Sequence, residues 1–214
     1  MQNGKLVVFE GIYGSGRLAG RLVNRVREAL AQQGANAYEI DSPDSGRALV
    51  MGAESLDSMW RYGSFKPDFF FELASRAKAA TVIDEERRRG RLVLCKGFTL
   101  SSIVYARLKG HDWDREGLGA LEARARGAGF GGEVTPDLTI FLDMTPTEAV
   151  KALGSRIDGH FTPQAIERQR ELYLEELAKL PTGLTVTLDA AASEDANVGA
   201  VLQAVGAKPL RSVA

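Results

Sequence analysis

The stretch Lys5-Leu6-Val7-Val8-Phe9-Glu10-Gly11-Ile12-Tyr13-Gly14-Ser15-Gly16-Arg17-Leu18 decides the fold. It is an apolar, β-branched run followed by a glycine-rich turn, and an amphipathic helical pattern comes next. Strand, turn and helix in this order are the context in which the phosphate-loop template G-x-x-x-x-G-K-[ST] becomes meaningful. Gly11 and Gly16 meet the template, whereas Arg17 and Leu18 replace its lysine and its hydroxyl residue. The stretch therefore predicts a phosphate-binding loop with two altered side chains.

The two altered positions affect charge and metal binding differently. In an intact loop the backbone N–H groups hold phosphates at the helix N-terminus, the lysine reaches the outer phosphates and the hydroxyl ligates Mg²⁺. Arg17 keeps a positive charge on a planar fork. Leu18 cannot ligate a metal, and it is in register with Leu22, Val26 and Leu30, so we interpret it as part of a core-facing stripe. The loop stays compatible with ATP but is poorly suited to Mg²⁺. The predicted cofactor-binding residues are Gly11, Tyr13, Gly14, Ser15, Gly16, Arg17 and Leu18.

The composition excludes several classes of protein. The 214 residues carry 27 Lys+Arg against 28 Asp+Glu, a net charge of −1, so no global field favours nucleic acid or an anionic membrane. The single cysteine, Cys95, excludes an internal disulfide and lies in an apolar run, which predicts a buried, unreactive thiol. No signal-peptide pattern precedes the first strand, and no apolar run approaches the roughly 20 residues of a membrane span. We therefore expect a cytoplasmic, single-domain protein. His111 and His160 have no clustered ligands nearby, so no metal site is predicted.

Four or five apolar, β-rich runs alternate with helical patterns. This alternation predicts an α/β protein with a parallel sheet and helices on both faces, in which ligands bind at the carboxyl ends of the strands. The predicted strands are Leu6–Glu10, Ala37–Ile40, Leu92–Cys95, Leu138–Leu142 and Leu184–Leu188.

The predicted helices are long and mostly amphipathic. The second long helix is expected to direct Phe70, Leu73, Ala77, Ala80 and Ile83 to one side. The stretch from Met51 to Gly63 is interpreted as a short helix and loop over the site. The predicted helices are Arg17–Gly34, Pro67–Arg89, Phe98–Leu108, Asp114–Arg126, a short one opened by Thr145 and Gln164–Leu180.

A set of motifs extends along nearly the whole chain. The motifs are Phe9-Glu10-Gly11-Ile12 with Gly14-Ser15-Gly16, Arg76, Ser101-Ser102 with Tyr105, Pro136-Asp137-Leu138-Thr139-Ile140-Phe141-Leu142-Asp143, Thr145-Pro146, Tyr173 and Leu188-Asp189-Ala190. Together they resemble the motifs of the thymidylate kinase family. The resemblance implies a P-loop NTPase-type three-layer α/β/α fold with a five-stranded parallel sheet, transfer of phosphate from ATP to dTMP, and a homodimer.

The residues expected to bind the acceptor are partly kept and partly changed. By the resemblance, Arg76, Ser101, Ser102 and Tyr105 lie in the acceptor site. The aromatic residue that would stack on thymine falls at Glu72, one place from Phe71, and a glutamine of the family is Ala106 here. The predicted substrate-binding residues are Asp41, Phe71, Arg76, Ser101, Ser102 and Tyr105.

The charged positions of the family show the larger changes. Tyr13 replaces an acidic loop residue, Asp41 replaces the arginine of R-E-P-G-G that holds the acceptor phosphate, and Lys96-Gly97 replaces an Asp-Arg pair. A lid-like segment, about 151–164, offers mainly Arg156. The predicted catalytic residues are Arg17, Lys96 and Arg156. Because the family's second and third strands are neighbours, we hypothesise a salt bridge between Asp41 and Lys96 where the acceptor phosphate would sit.

These substitutions remove several groups that neutralise charge during phosphoryl transfer. The sequence therefore favours a catalytically inactive or strongly impaired nucleoside monophosphate kinase homologue that acts as a nucleotide-binding or partner-binding module. The alternative is an active kinase that phosphorylates dTMP or a related acceptor from ATP, with a remodelled site that works without metal.

Overall fold

The computed structural model describes residues 4–40, 65–129, 131–154 and 162–207. Their core is one five-stranded, fully parallel sheet in the order β2-β3-β1-β4-β5, which confirms the predicted fold class. The strand that leads into the glycine-rich turn is central, because apolar residues on both of its faces are buried. The strands are β1 Leu6–Gly11, β2 Ala37–Ile40, β3 Leu92–Lys96, β4 Leu138–Asp143 and β5 Thr185–Asp189.

Helices cover both faces of the sheet. On one face, α1 and α7 pack on alternate strand residues such as Val7, Phe9 and Ile140. On the other face, α2, α3 and α6 pack on residues such as Val8 and Phe141. The helices in the described residues are α1 Gly16–Gln32, α2 Phe65–Arg88, α3 Thr99–Leu108, α4 Leu118–Ala125, α5 Pro146–Leu153, α6 Pro163–Leu177 and α7 Glu194–Ala204.

Two details of the helices differ from the sequence-based expectations. The helix expected from Asp114 begins only at Leu118, because Gly117 adopts a left-handed conformation with φ 69° and interrupts the preceding turns. In α2 the expected inward residues Phe70 and Ala77 are exposed, and Phe69 and Arg76 are buried instead. The inward face is shifted because Phe69 packs edge-on against Trp113 while Arg76 pairs with a buried carboxylate of α4.

One motif residue, Asp137, has a structural role. Asp137 precedes β4 and accepts a hydrogen bond from the Leu6 backbone N–H (2.7 Å), which ties the start of β1 to the start of β4. Arg87, near the end of α2, lies 3.2 Å from the same carboxylate and donates to the Gly4 carbonyl. Cys95 is buried in β3, as predicted.

Several predictions fall on parts of the chain outside the described residues. They are the helix and loop from Met51 to Gly63, the acceptor residue Asp41, the lid residue Arg156 and the isolated His160. Among the described residues, none of the helices is both long and apolar enough to cross a membrane.

Candidate functional site: the phosphate loop and the strand ends

The phosphate loop, residues 11–18, begins where β1 ends and runs into α1. Its middle is a tight turn in which the Ile12 carbonyl accepts hydrogen bonds from both the Ser15 backbone N–H (3.1 Å) and the Ser15 hydroxyl (2.7 Å). Gly14 has φ 97°, which only glycine adopts without strain. A Cβ on Gly14 would also lie 2.7 Å from the Ala149 carbonyl of α5. The turn therefore requires glycine at this position for two separate reasons.

The loop keeps open donors at the N-terminus of α1. Within the described part of the chain, no acceptor is hydrogen bonded to the backbone N–H groups of Gly14, Gly16, Arg17 and Leu18. The Arg17 side chain beside them is exposed. Convergent N–H groups at the start of a 17-residue helix attract anions, since they add to the positive end of the helix dipole. These residues therefore fit the phosphates of a nucleotide.

An apolar residue occupies the metal-binding position of the phosphate-loop template. Leu18 stands where a metal-binding hydroxyl would be, and its partly buried side chain packs against the apolar clusters on both sides of the sheet. This packing confirms the predicted core-facing role of Leu18. Among the described residues, no group of three or more His, Cys, Asp or Glu side chains could hold a metal ion.

A buried polar cluster lies next to the loop, at the carboxyl ends of β1 and β3. It consists of Glu10, Arg76, Ser102, Glu122 and Tyr173, all buried in the structure. Glu10, the last residue but one of β1, accepts hydrogen bonds from the Phe98 backbone N–H (2.8 Å) and the Tyr173 hydroxyl (3.3 Å). The cluster thus joins β1 to α6 and to the turn after β3.

Burial raises the pKa of Glu10 from 4.5 to about 7, since desolvation outweighs the Phe98 N–H, Arg76 and the Tyr173 hydroxyl, which lower it. The pKa of Tyr173 is also raised, first by burial and then by the neighbouring Glu10 charge. Glu10 consequently changes protonation in the neutral pH range while holding the turn after β3.

Arg76 is held inside the protein by α3 and α4. It donates to the Phe98 carbonyl (2.8 Å) and to the Ser102 hydroxyl (3.2 Å), and its guanidinium stacks 4.4 Å from the Phe98 ring centroid. Its Nε lies 3.3 Å from Glu122, at an angle that makes an ion pair but no hydrogen bond. Its Nη1 has no hydrogen-bond partner among the described residues. Only 2% of the Arg76 side chain is exposed, and the buried carboxylate of Glu122 balances its positive charge.

Lys96, at the end of β3, is paired with an acid on the neighbouring strand. Its Nζ lies 3.2 Å from Glu39 of β2, and Glu39 also lies 3.6 Å from Arg27 of α1. The hypothesised partner Asp41 lies outside the described residues, so that salt bridge remains a prediction. Lys96, which the sequence analysis predicts to be a catalytic cation, therefore forms an ion pair with Glu39 of the neighbouring strand.

The structure brings together Arg76, Ser101 and Ser102, three of the residues predicted to bind the acceptor. Ser102 donates to Glu72 (3.1 Å), the residue that stands in place of the stacking aromatic, and Ser101 donates to the Phe98 carbonyl (2.6 Å). Phe71 and Tyr105 are half-buried, and Tyr105 lies under the Lys109 ammonium at 5.6 Å.

Sequence reasoning missed three residues that shape the site. Glu122 is the buried partner of Arg76 and Arg126. Gln169 accepts a hydrogen bond from the Tyr13 backbone N–H (2.8 Å). Arg170 forms two hydrogen bonds (2.6 and 2.8 Å) with Asp143 at the end of β4. A polar residue within a mostly apolar helix face, as at Gln169, is the one signal that could have indicated it.

A parallel sheet whose central strand feeds a glycine-rich turn and the open N-terminus of a helix defines a phosphate-loop α/β protein. The family model described as thymidylate kinase matches residues 9–201, and the chain belongs to that family. A thymidylate kinase of Solidesulfovibrio magneticus is 30% identical over 94% of this chain and 98% of its own length. One of Geobacter sulfurreducens is 28% identical, over 80% and 78% of the two chains. A probable thymidylate kinase of Staphylothermus marinus is 27% identical, over 88% and 87%.

Proposed function

We propose that this protein binds a nucleoside polyphosphate such as ATP through the phosphate loop and has lost most or all phosphoryl transfer to dTMP. The observation that carries the proposal is the division of roles at Arg17 and Leu18. The loop's open N–H groups and the exposed Arg17 side chain can bind phosphate, whereas the Leu18 side chain packs against the apolar core. Binding and transfer have different requirements, because transfer also needs charge neutralisation around the moving phosphoryl group.

We also propose that ATP binding depends only weakly on Mg²⁺, because of the same difference between Arg17 and Leu18. A thymidylate kinase uses Mg²⁺ to bridge the donor phosphates, and the loop hydroxyl is one of its ligands. The Leu18 side chain supplies no oxygen ligand. Moving this side chain away from its present position would leave a cavity between two apolar clusters. Phosphate binding to the loop therefore depends mainly on backbone N–H groups and Arg17.

The described cations near the strand ends support impaired transfer. Lys96 is paired with Glu39 and Arg76 with Glu122, so each positive charge already has a negative partner. A phosphate would have to compete with these carboxylates. Losing one preorganised electrostatic contact typically reduces catalysis by about 10²- to 10³-fold, and several such contacts are altered here.

Calorimetry and thermal unfolding with ATP, adenosine and dTMP, each with and without Mg²⁺, test the proposal. At 100 times its dissociation constant, ATP would stabilise the folded protein by about 2.7 kcal/mol. We expect this stabilisation with and without Mg²⁺, and none with adenosine, which lacks phosphates. A coupled assay for ADP with dTMP as acceptor should show turnover at least about 10²-fold below an authentic thymidylate kinase.

Each outcome has a distinct meaning. Absence of ATP binding would contradict the nucleotide-binding role and favour a protein-binding module. Binding that requires Mg²⁺, together with rapid ADP formation, would show that the protein is an ordinary kinase. Rapid ADP formation without Mg²⁺ would favour the alternative of a remodelled, metal-independent enzyme.

We also propose a homodimer, as the family resemblance implies. Helices α2 and α4 pack against each other, and each has one large apolar side chain in water, Phe70 and Leu121. Light scattering of the protein and of a Phe70→Ser variant tests this proposal. A monomeric native protein would contradict it.

A further inference from the structure

Helix α6 contacts the strand ends at three nearby positions. Arg170 binds both oxygens of Asp143 at the end of β4, and Tyr173, one turn later, packs 5.4 Å from the Phe141 ring and donates to Glu10. Between these anchors and the phosphate loop lies Gln169, which is only 6% exposed. The helix is therefore fixed closely enough to place the Gln169 amide group on a defined atom of the loop.

That atom is the Tyr13 backbone nitrogen. Gln169 Oε1 accepts its N–H at 2.8 Å across 156 residues of sequence. Tyr13 immediately precedes Gly14, whose φ of 97° sets the direction of the turn. The Tyr13 N–H bound to Gln169 and the Ser15 N–H bound to Ile12 close the turn. The N–H groups of Gly14, Gly16, Arg17 and Leu18 have no acceptor among the described residues.

We propose that Gln169 is a positioning residue for phosphate binding: it fixes the loop backbone at Tyr13 so that the open N–H groups converge before a ligand arrives. Gln169 itself does not contact the phosphates. A loop that is ordered in advance loses less conformational freedom on binding, and the saving appears as affinity. This inference rests on the proposed nucleotide binding and adds the residue that tunes it.

Gln169→Met tests the inference, because it keeps the side-chain length and removes the acceptor. We expect affinity for ATP and for pyrophosphate to fall by the same factor, about tenfold, the worth of one hydrogen bond. In hydrogen exchange without ligand, the Tyr13 amide should lose its protection. Gln169→Glu keeps the acceptor and should restore that protection. Gln164→Met changes the same residue type on an exposed position of α6 and should alter neither property.

Gln169→Asn moves the acceptor away by one methylene and provides a milder test if Gln169→Met does not fold. It should also weaken ATP binding and expose the Tyr13 amide. Native affinity in either folded variant, or an unprotected Tyr13 amide in the native protein, would overturn the positioning role alone. A native protein that binds neither ATP nor pyrophosphate would overturn the proposed function and this inference together.

Discussion

The phosphate loop and the buried polar cluster are adjacent, but they satisfy their polar groups in opposite ways. In the loop, the N–H groups of Gly14 and of Gly16 to Leu18 have no acceptor among the described residues. In the cluster, each carboxylate has protein donors: Glu10 binds the Phe98 N–H and Tyr173, and Glu122 binds Thr99 and Arg126. An open set of donors is completed by a ligand, whereas carboxylates that already have protein donors stabilise the fold. The comparison therefore predicts that changes in the cluster mainly alter stability and changes in the loop mainly alter binding.

The largest effect should come from Glu122→Ala. It leaves the buried Arg76 charge without its carboxylate, and breaking one side of a buried ion pair typically costs about 3–5 kcal/mol. Urea unfolding measures the free energy of unfolding directly. Asp84→Ala, which breaks the exposed Asp84–Arg88 ion pair on α2, is the control and should cost at most about 1 kcal/mol. A loss as small as the control's would show that the cluster is not a closed, stabilising unit.

Glu10 should make stability depend on pH in a way that Glu10→Gln removes. Its pKa is about 7 in the folded protein and 4.5 in the unfolded chain, so the folded state holds the proton more tightly. The resulting stabilisation is complete below pH 4.5 and is lost as the pH rises through 7. At about 1.4 kcal/mol per pKa unit, the loss is about 3 kcal/mol.

Unfolding of the native protein and of Glu10→Gln between pH 4 and 8.5 checks the sign. The native protein should lose stability relative to the variant as the pH rises. Glu148→Gln is the control, because hydrogen bonds with Thr145 lower the pKa of this exposed carboxyl, so its small contribution is lost as the pH falls. If the free energies of unfolding of the native protein and Glu10→Gln change in parallel with pH, burial does not raise the pKa of Glu10.

Gly14→Ala should damage both stability and binding, because it deforms the loop. Its Cβ would meet the Ala149 carbonyl at 2.7 Å at a φ of 97°, so we expect a cost of about 1–3 kcal/mol. ATP binding in calorimetry should become undetectable. Gly20→Ala, in the middle of α1 with open space around it, should instead stabilise the protein by about 0.5–1 kcal/mol. ATP binding at native strength in Gly14→Ala would show that the turn does not shape the phosphate site.

The sequence predicts what periodicity and local chemistry determine. The buried apolar strands, the glycine turn and the inward face of Leu18 follow from patterns within a few residues of each other. The pairing of Tyr13 with Gln169, of Arg76 with Glu122 and of Lys96 with Glu39 does not, because these contacts join elements far apart in the chain and involve single polar residues with no repeating pattern. The shift of the inward face of α2 has the same cause, because the burial of Arg76 depends on its pairing with Glu122, a single residue on α4.

The smallest effect on stability, and the clearest separation of the two regions, is expected for Arg17→Ala. The side chain is exposed and forms no ion pair with the described residues, so the free energy of unfolding should change by less than about 0.5 kcal/mol. ATP affinity should nevertheless fall about tenfold or more, because a charge-assisted hydrogen bond to phosphate is worth about 1.5–3 kcal/mol. Arg21→Ala, one turn further along α1 and paired with Glu194 at 3.5 Å, should leave ATP affinity unchanged. Equal ATP affinity in the native protein and Arg17→Ala would mean that the backbone N–H groups alone hold the phosphates. An equal loss of ATP affinity in Arg17→Ala and Arg21→Ala would mean that only the general positive field of α1 matters.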